Sequence, residues 1–162
     1  MSGKTLSIKV ITIAAIIAVG FLAAKHGIVK PPKDANLRYV KYVIDGYTIL
    51  LKNNEKVRYL GIDTPEVEGP YTSEEPMGKE ASAFNRELVE HKWVRLEFDI
   101  ELRGKYDRLL AYVYVDEVFV NAELVKEGYA RVSTFPPNVK YANLFLRLQR
   151  EARQARKGLW GK

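Results

Sequence analysis

The stretch VRYLGIDTPE, residues 57–66, joins a strand pattern to a turn that is rich in oxygen ligands. Its first half alternates apolar and polar residues, which is typical of a half-buried strand. Arg58 carries a permanent positive charge, and Asp63 and Glu66 supply two carboxylates three residues apart. Pro65 fixes its own backbone and biases the preceding residue toward an extended conformation. A cation and a carboxylate pair beside a rigid bend predict a site for phosphate and metal.

Each of these residues also has an ordinary structural interpretation. An arginine in a strand most often lies on the solvated face, and residues 63–66 can form a simple turn closed by a side-chain hydrogen bond. Asp45, which precedes a glycine, is more often a simple turn residue, and the alternative is a further metal ligand or a carboxylate that supports one. Arg108 begins a second strand pattern after a charged loop. If it converges with Arg58 on the carboxylates, the two planar groups can grip a phosphate, but the sequence alone does not show that they converge.

Composition limits the chemistry that this chain can perform. The 162 residues favour one domain, and the formal net charge of +6 favours a polyanionic partner, either nucleic acid or an anionic membrane surface. The absence of cysteine excludes disulfides, zinc–thiolate sites and thiol nucleophiles. With only His26 and His91, a histidine-rich metal site is also excluded. Any metal must therefore be bound mainly by oxygen, which favours calcium, magnesium or manganese.

The N-terminal 24 residues predict export. Lys4 and Lys9 precede an uncharged apolar run, residues 10–24, which as a helix would span roughly 22 Å and fall short of a hydrocarbon core of about 30 Å. This pattern is typical of a secretory signal peptide. An uncleaved signal anchor that contacts the membrane through residues 10–24 is almost as well supported. Residues 25–36 contain two consecutive prolines and are interpreted as a linker.

The rest of the chain predicts a mainly β domain over residues 37–160. A three-stranded meander is expected over Leu37–Ile44, Tyr47–Lys52 and Lys56–Ile62, followed by a polar loop over residues 66–78. Further strands are expected over Lys92–Asp99, Arg108–Val115 and Val118–Val120, and helices over Lys79–His91, Ala122–Glu127 and Val139–Lys157, with Asn121 and Asn138 as N-caps of the last two. The predicted class is α+β, namely a five-stranded OB-fold Greek-key barrel with three packed helices.

Basic and aromatic residues outside the opening stretch predict contacts with nucleic acid. Lys105 and Tyr106 stand just before Arg108, and Phe135 precedes two prolines. Such groups contact phosphates and stack on bases, although an isolated aromatic more often lies in the core or at its rim. The chain contains no glycine-rich phosphate loop, no metal-binding histidine pair and no serine nucleophile elbow.

Several motifs in the same order resemble the staphylococcal-nuclease-like (thermonuclease) family. They are VRYLGIDTPE at 57–66, GKEASAF at 78–84, KYDRLLAYVY at 105–114, VNAELVKEGYA at 120–130 and GLW at 158–160. The resemblance covers residues 37–160. It implies an OB barrel with three helices, secreted in many bacteria, that cleaves DNA and RNA with calcium.

The resemblance also implies a role for each matching residue. The carboxylate of Asp63 and the backbone carbonyl of Thr64 match calcium ligands, and Glu66 matches the general base that activates water. Arg58 and Arg108 match the two arginines that hold the scissile phosphate. The remaining matches concern the nucleotide: Lys105 and Tyr106 correspond to contacts with a neighbouring phosphate, and Phe135 to a tyrosine that lines the nucleotide site.

One departure from the family pattern affects the metal. Where the family reads Asp-Gly-Asp-Thr, this chain reads Asp45-Gly46-Tyr47-Thr48, so that Tyr47 replaces a principal calcium ligand. A phenol with an ordinary pKa near 10 is a poor calcium ligand at neutral pH. Asp45 could coordinate in its place, directly or through water.

The leading hypothesis is a calcium-dependent endonuclease, monomeric by default, that acts on DNA and RNA in single-stranded or denatured form and leaves 3′-phosphate ends. The alternative is a nucleic-acid-binding OB module with weak or no hydrolysis, because Tyr47 replaces the ligand. A membrane-surface protein is a third interpretation. The sequence implies no protein partner.

Overall fold

The computed structural model describes residues 36–161. Within these residues there are eight strands: β1 (Leu37–Val43), β2 (Thr48–Leu51), β3 (Lys56–Tyr59), β4 (Ile62–Asp63), β5 (Trp93–Glu97), β6 (Leu109–Val115), β7 (Val118–Phe119) and β8 (Arg131–Val132). The same part of the chain forms three α-helices, α1 (Gly78–Val89), α2 (Val120–Lys126) and α3 (Ala142–Gln154), and a 3₁₀ turn over Gly158–Trp160.

Strands β1, β2, β3, β5 and β6 form a closed barrel. They lie in the order β3-β2-β1-β5-β6, and a parallel pairing of β3 with β6 closes the ring, with Arg58 opposite Leu110. The pairing of β1 with β2 is shifted in register between Val40 and Tyr42, and the first residues of β1 pair with β5 instead. An irregularity of this kind bends a strand so that it can pair with two neighbouring strands. The predicted fold class, a five-stranded OB-type barrel with three helices, is confirmed.

The core fills the barrel and extends under the helices. Its fully buried residues come from most strands and from all three helices; they include Val40, Ile49, Val57, Val94, Val113, Val89, Leu124 and Phe145. Edge-to-face aromatic contacts join Tyr112 of β6 to Tyr141, whose ring centroid lies 4.7 Å away. Burial of these side chains is the main source of stability, and the packed helices fix the loops that leave the barrel.

The two predicted asparagine caps are wrong. Helix α2 begins at Val120, so Asn121 lies inside it; its side chain is buried, accepts a hydrogen bond from the Val113 N–H and donates one to the Leu60 carbonyl, both at 2.9 Å. Helix α3 begins at Ala142, four residues after buried Asn138. A primary amide carries a donor and an acceptor, so each asparagine satisfies buried or partly buried backbone groups instead of a helix end.

Asn138 closes a connection between two loops. Its side chain accepts a hydrogen bond from the Glu101 N–H at 2.8 Å and donates one to the Glu101 carbonyl at 3.0 Å. The loop before β6 is thereby tied to the segment that carries Phe135. Both loops border the site described below.

The predicted signal segment, residues 1–24, lies outside the residues that the structure describes. The predicted linker, residues 25–36, also lies outside them except for Asn36. Within residues 36–161, no helix is both long enough and apolar enough to cross a bilayer.

Candidate active site at the barrel closure

The closure of the barrel brings Arg58 and Arg108 to one cleft. Arg58 lies in β3, and Arg108 immediately precedes β6, the parallel neighbour of β3. Both arginines line a cleft of about 230 Å³, together with Lys105 and Phe135. The sequence left this convergence open, and the structure shows it.

Arg108, which lines this cleft, carries an unused hydrogen-bond donor. Its Nε atom is buried and has no hydrogen-bond partner among residues 36–161. Buried polar groups are nearly always paired in folded proteins. An unpaired guanidinium donor at a cleft with three cationic side chains is therefore suited to an anionic ligand such as a phosphate.

Arg58 is held by a carboxylate and an aromatic ring. Its Nη2 donates to Asp63 Oδ1 at 3.2 Å, and its Cζ lies 4.4 Å from the centroid of the Tyr47 ring. Its side chain is only 24% exposed. Arg58 therefore lies inside the site rather than on the solvated face that is usual for an arginine in a strand.

The bend before β2 places Asp45 and Tyr47. Asp45 Oδ1 accepts a hydrogen bond from the Tyr47 N–H at 2.9 Å. The bend also packs closely on the turn after β4, because a Cβ added at Gly46 would lie 2.3 Å from Thr64 Oγ1. A larger residue at position 46 would clash with Thr64. The segment that carries Asp45 therefore packs tightly against the segment that carries Asp63.

Asn85 of α1 supports this bend, and sequence reasoning missed it. Its side chain is fully buried, donates to the Asp45 carbonyl at 3.1 Å and accepts from the Tyr59 hydroxyl at 2.9 Å. One signal was available, because Asn85 lies four residues from both Ala81 and Val89, which are buried on the same helix face. A polar residue in the middle of an apolar helix face indicates a specific partner.

Glu66 is positioned by the loop that follows it. Its carboxylate Oε1 accepts a hydrogen bond from the Tyr47 hydroxyl at 3.3 Å, and its carbonyl accepts one from the Glu75 N–H at 2.9 Å. Gly78 packs directly on the Glu66 backbone. The polar loop is thus an ordered support for this carboxylate.

Burial is the largest cause of raised pKa values at three groups of the site. Burial raises the pKa of Glu66, and the negative charges of Asp45 and Asp63 raise it further, while the Tyr47 hydroxyl opposes the shift. Burial also raises the pKa of Asp45. Burial raises the pKa of Tyr47 to about 12, so its hydroxyl stays protonated and acts as a donor at neutral pH.

The oxygen atoms at this site are suited to a hard cation, but they are few. Asp45, Asp63 and the Thr64 backbone offer oxygen atoms only, the donor type that calcium and magnesium take, and Thr64 Oγ1 is buried with no partner among the described residues. In that part of the chain, however, no three acidic or histidine side chains are close enough to share one ion. Arg58 also competes for Asp63. A metal held here would have at most two carboxylate ligands, which favours weak binding.

The remaining predicted contacts flank the cleft. Lys105 and Phe135 line it, whereas Tyr106 faces a neighbouring depression beside Arg108, whose Cζ lies 5.6 Å from the Tyr106 ring. Tyr106 and Phe135 are 71% and 72% exposed. Exposed aromatic rings next to cationic side chains can stack on bases, so both rings are available to a bound strand.

The barrel defines an OB-type protein in which two arginines meet at one cleft. Asp45, Asp63 and Glu66 do not line this cleft. The connection to them is the contact of Arg58 with Asp63 and with the Tyr47 ring. The family model described as "Staphylococcal nuclease homologue" matches residues 56–162. This chain belongs to the staphylococcal nuclease family, which confirms the resemblance found in its motifs.

Several relatives of this chain carry nuclease names. It is 44% identical to a protein named "Thermonuclease" from Staphylococcus intermedius over 124 residues, which cover 75% of this chain and 74% of the relative. It is 36% identical to a "Thermonuclease" from Staphylococcus hyicus over 159 residues, with 93% and 94% coverage. It is 46% identical to "Endonuclease YncB" from Bacillus subtilis (strain 168) over 124 residues, with 74% and 59% coverage.

Proposed function

We propose that this protein is a calcium-dependent phosphodiesterase that cleaves DNA and RNA internally. The observation that carries the proposal is the meeting of Arg58 and Arg108 at one cleft, with Glu66 joined to Arg58 through Tyr47. The names of the relatives, thermonuclease and endonuclease, support the same class of reaction.

Glu66 is the proposed general base. A base must lie near the attacking water and have a pKa close to the working pH. Burial and neighbouring carboxylates raise the pKa of Glu66 above its ordinary value, which makes it a stronger base than a free glutamate. Glu66 would take one proton from a water as the water oxygen bonds to phosphorus.

Arg58 and Arg108 are proposed to hold the scissile phosphate. As the new P–O bond forms, the bond from phosphorus to the 5′ oxygen breaks, the 5′ hydroxyl leaves with a proton from solvent, and a 3′-phosphate remains. Negative charge grows on the phosphate oxygens during this step. The two guanidinium groups would stabilise that charge, and Arg108 has a guanidinium donor without a partner among the described residues.

Calcium is proposed to bind to Asp45, Asp63 and the Thr64 carbonyl. When bound, it would supply positive charge that polarises the phosphate and favours ionised water. With at most two carboxylate ligands, we expect a weak calcium affinity.

The flanking residues define a track for a single strand. Lys105 would contact a neighbouring phosphate, and the exposed rings of Tyr106 and Phe135 would stack on bases. Stacking requires unpaired bases, so single-stranded or denatured substrates are proposed. The export predicted from residues 1–24 would place this activity outside the cytoplasm, either secreted or tethered.

A second candidate function is nucleic-acid binding with weak or no hydrolysis. The presence of Tyr47 at a metal-ligand position favours it, together with the lack of a three-carboxylate cluster within residues 36–161. Both functions share the same cleft and differ in whether product forms.

The deciding experiment incubates the full-length chain with denatured DNA and with RNA over a wide calcium titration. Calcium-dependent cleavage that leaves 3′-phosphate ends supports the first function. Binding without product at every calcium concentration, combined with cleavage by the Tyr47→Asp variant, would reject it in favour of the second.

A further inference from the structure

Tyr47 contacts the two residues that the proposed reaction needs most. Its ring lies under the Arg58 guanidinium, 4.4 Å from Cζ to centroid, and its hydroxyl donates to Glu66 Oε1 at 3.3 Å. Arg58 belongs to β3, whereas Glu66 lies three residues past β4. Tyr47 therefore bridges two segments.

The Tyr47 side chain is buried, and both backbone groups of this residue are hydrogen-bonded. Tyr47 is only 7% exposed. Its carbonyl accepts a hydrogen bond from the Tyr59 N–H at 2.9 Å, and its own N–H donates to Asp45 Oδ1 at 2.9 Å. A buried side chain fixed at both backbone groups can impose an orientation on what it touches, because it has few alternative rotamers.

The hydrogen bond uses one oxygen of the Glu66 carboxylate and leaves the other available. Oε1 receives the Tyr47 hydroxyl, while Oε2 accepts no hydrogen bond from the described residues. A base that is anchored through one oxygen can direct the second toward water. Such anchoring by a neighbour is common to precise active sites.

We propose that Tyr47 is a positioning residue that orients Glu66 through its hydroxyl and Arg58 through its ring. The inference rests on the proposed function, because it assigns to Glu66 the role of base and to Arg58 that of phosphate binder. A tyrosine at this position thus has a role of its own, rather than being only a lost metal ligand. Tyr47 fixes the position of Glu66 relative to Arg58 at a site where the described residues offer no third carboxylate to a metal.

The two contacts can be separated by two substitutions. Tyr47→Phe keeps the ring and removes the hydroxyl, so we expect kcat to fall about tenfold with KM within twofold of wild type, as for the loss of a hydrogen bond to a charged group. Tyr47→Leu removes both contacts, so we expect KM to rise several-fold in addition, since Arg58 loses its support. Tyr112→Phe is the matched control, because its hydroxyl bonds to Asp99, which lies outside the site.

A double-mutant cycle and a binding measurement complete the test. In the Glu66→Ala background, Tyr47→Phe should cause no further loss in single-turnover rate, because the group that it orients is gone. The Kd for a short oligonucleotide, measured with a chelator present, should be unchanged in Tyr47→Phe and raised in Tyr47→Leu.

Each of the following results would overturn the inference: wild-type kcat in Tyr47→Phe, an equal loss in the Glu66→Ala background, or an unchanged oligonucleotide Kd in Tyr47→Leu. A fall in thermal stability without any change in kcat or Kd would also overturn it, since it would leave only a structural role. If the wild-type chain itself forms no product, the proposed function fails and so does the Glu66 half of this inference. The binding arm then still decides whether Tyr47 supports Arg58.

Discussion

Replacing Gly78 by alanine should displace Glu66 without touching its side chain. Gly78 begins α1, and a Cβ added there would lie 2.2 Å from the Glu66 carbonyl oxygen and 2.8 Å from the carbonyl carbon, both backbone atoms. Real Cβ atoms stay beyond about 3.0 Å, so the Glu66 backbone must withdraw by about 0.8 Å. A displacement near 1 Å at a catalytic group costs on the order of 10²-fold in rate.

The same substitution should lower the free energy of unfolding only modestly. Crowding of this kind costs roughly 1–3 kcal/mol, while alanine is better than glycine in a helix by up to about 1 kcal/mol. We therefore expect kcat on denatured DNA to fall about 30- to 100-fold, with a modest fall in thermal stability. Oligonucleotide binding should persist, because Arg58 and Arg108 lie outside this loop.

Gly69→Ala is the matched control in the same loop. The atom nearest to its added Cβ is Thr72 Oγ1 at 2.9 Å, the end of a side chain that can rotate away. This variant should keep kcat within about threefold of wild type. If Gly78→Ala also stays within threefold while remaining folded, the backbone position of Glu66 does not limit the rate, and the reasoning is refuted.

Four further results are expected. Glu66→Gln should lower kcat by 10²-fold or more, as is typical for loss of a general base, with oligonucleotide Kd within threefold; full activity would remove Glu66 as the base. Arg108→Ala should raise KM and lower kcat, whereas Arg95→Ala, at a different surface, should change neither. Because burial raises the pKa of Glu66, the acid limb of the kcat–pH profile should lie above the ordinary value of 4.5, with activity lost as pH falls; a limb at or below 4.5 would contradict this. Asn121→Ala should lower the free energy of unfolding by about 2–4 kcal/mol, because two buried backbone groups lose their partner; a loss under about 0.5 kcal/mol in a denaturant titration would contradict it.

Local patterns in the sequence were sufficient to place most elements. The predicted meander corresponds to β1, β2 and β3, and the predicted helix Lys79–His91 to α1 at Gly78–Val89. These predictions succeed because alternation and helical spacing are properties of consecutive residues. The helix ends were less accurate, as the start of α3 at Ala142 shows.

Features that depend on distant pairing could not be predicted in this way. Nothing in the residues around Arg58 or Arg108 indicates that β3 and β6 lie side by side, so the convergence of the two arginines followed only from the family resemblance until the structure showed it. Asn121 and Asn138 precede predicted helices as caps do, yet their amides bond to backbone groups elsewhere. A sequence pattern identifies a residue that can bond to backbone; it does not show which backbone is near.

The β3–β6 pairing also makes enzymatic activity a probe of folding. Arg58 and Leu110 are paired across about fifty positions of chain, a non-local contact whose closure costs conformational entropy before it adds stability. Contacts of this kind slow folding relative to helices and hairpins. In a refolding experiment, secondary structure should therefore return before phosphodiesterase activity, and the delay between the two would measure the time that the barrel takes to close.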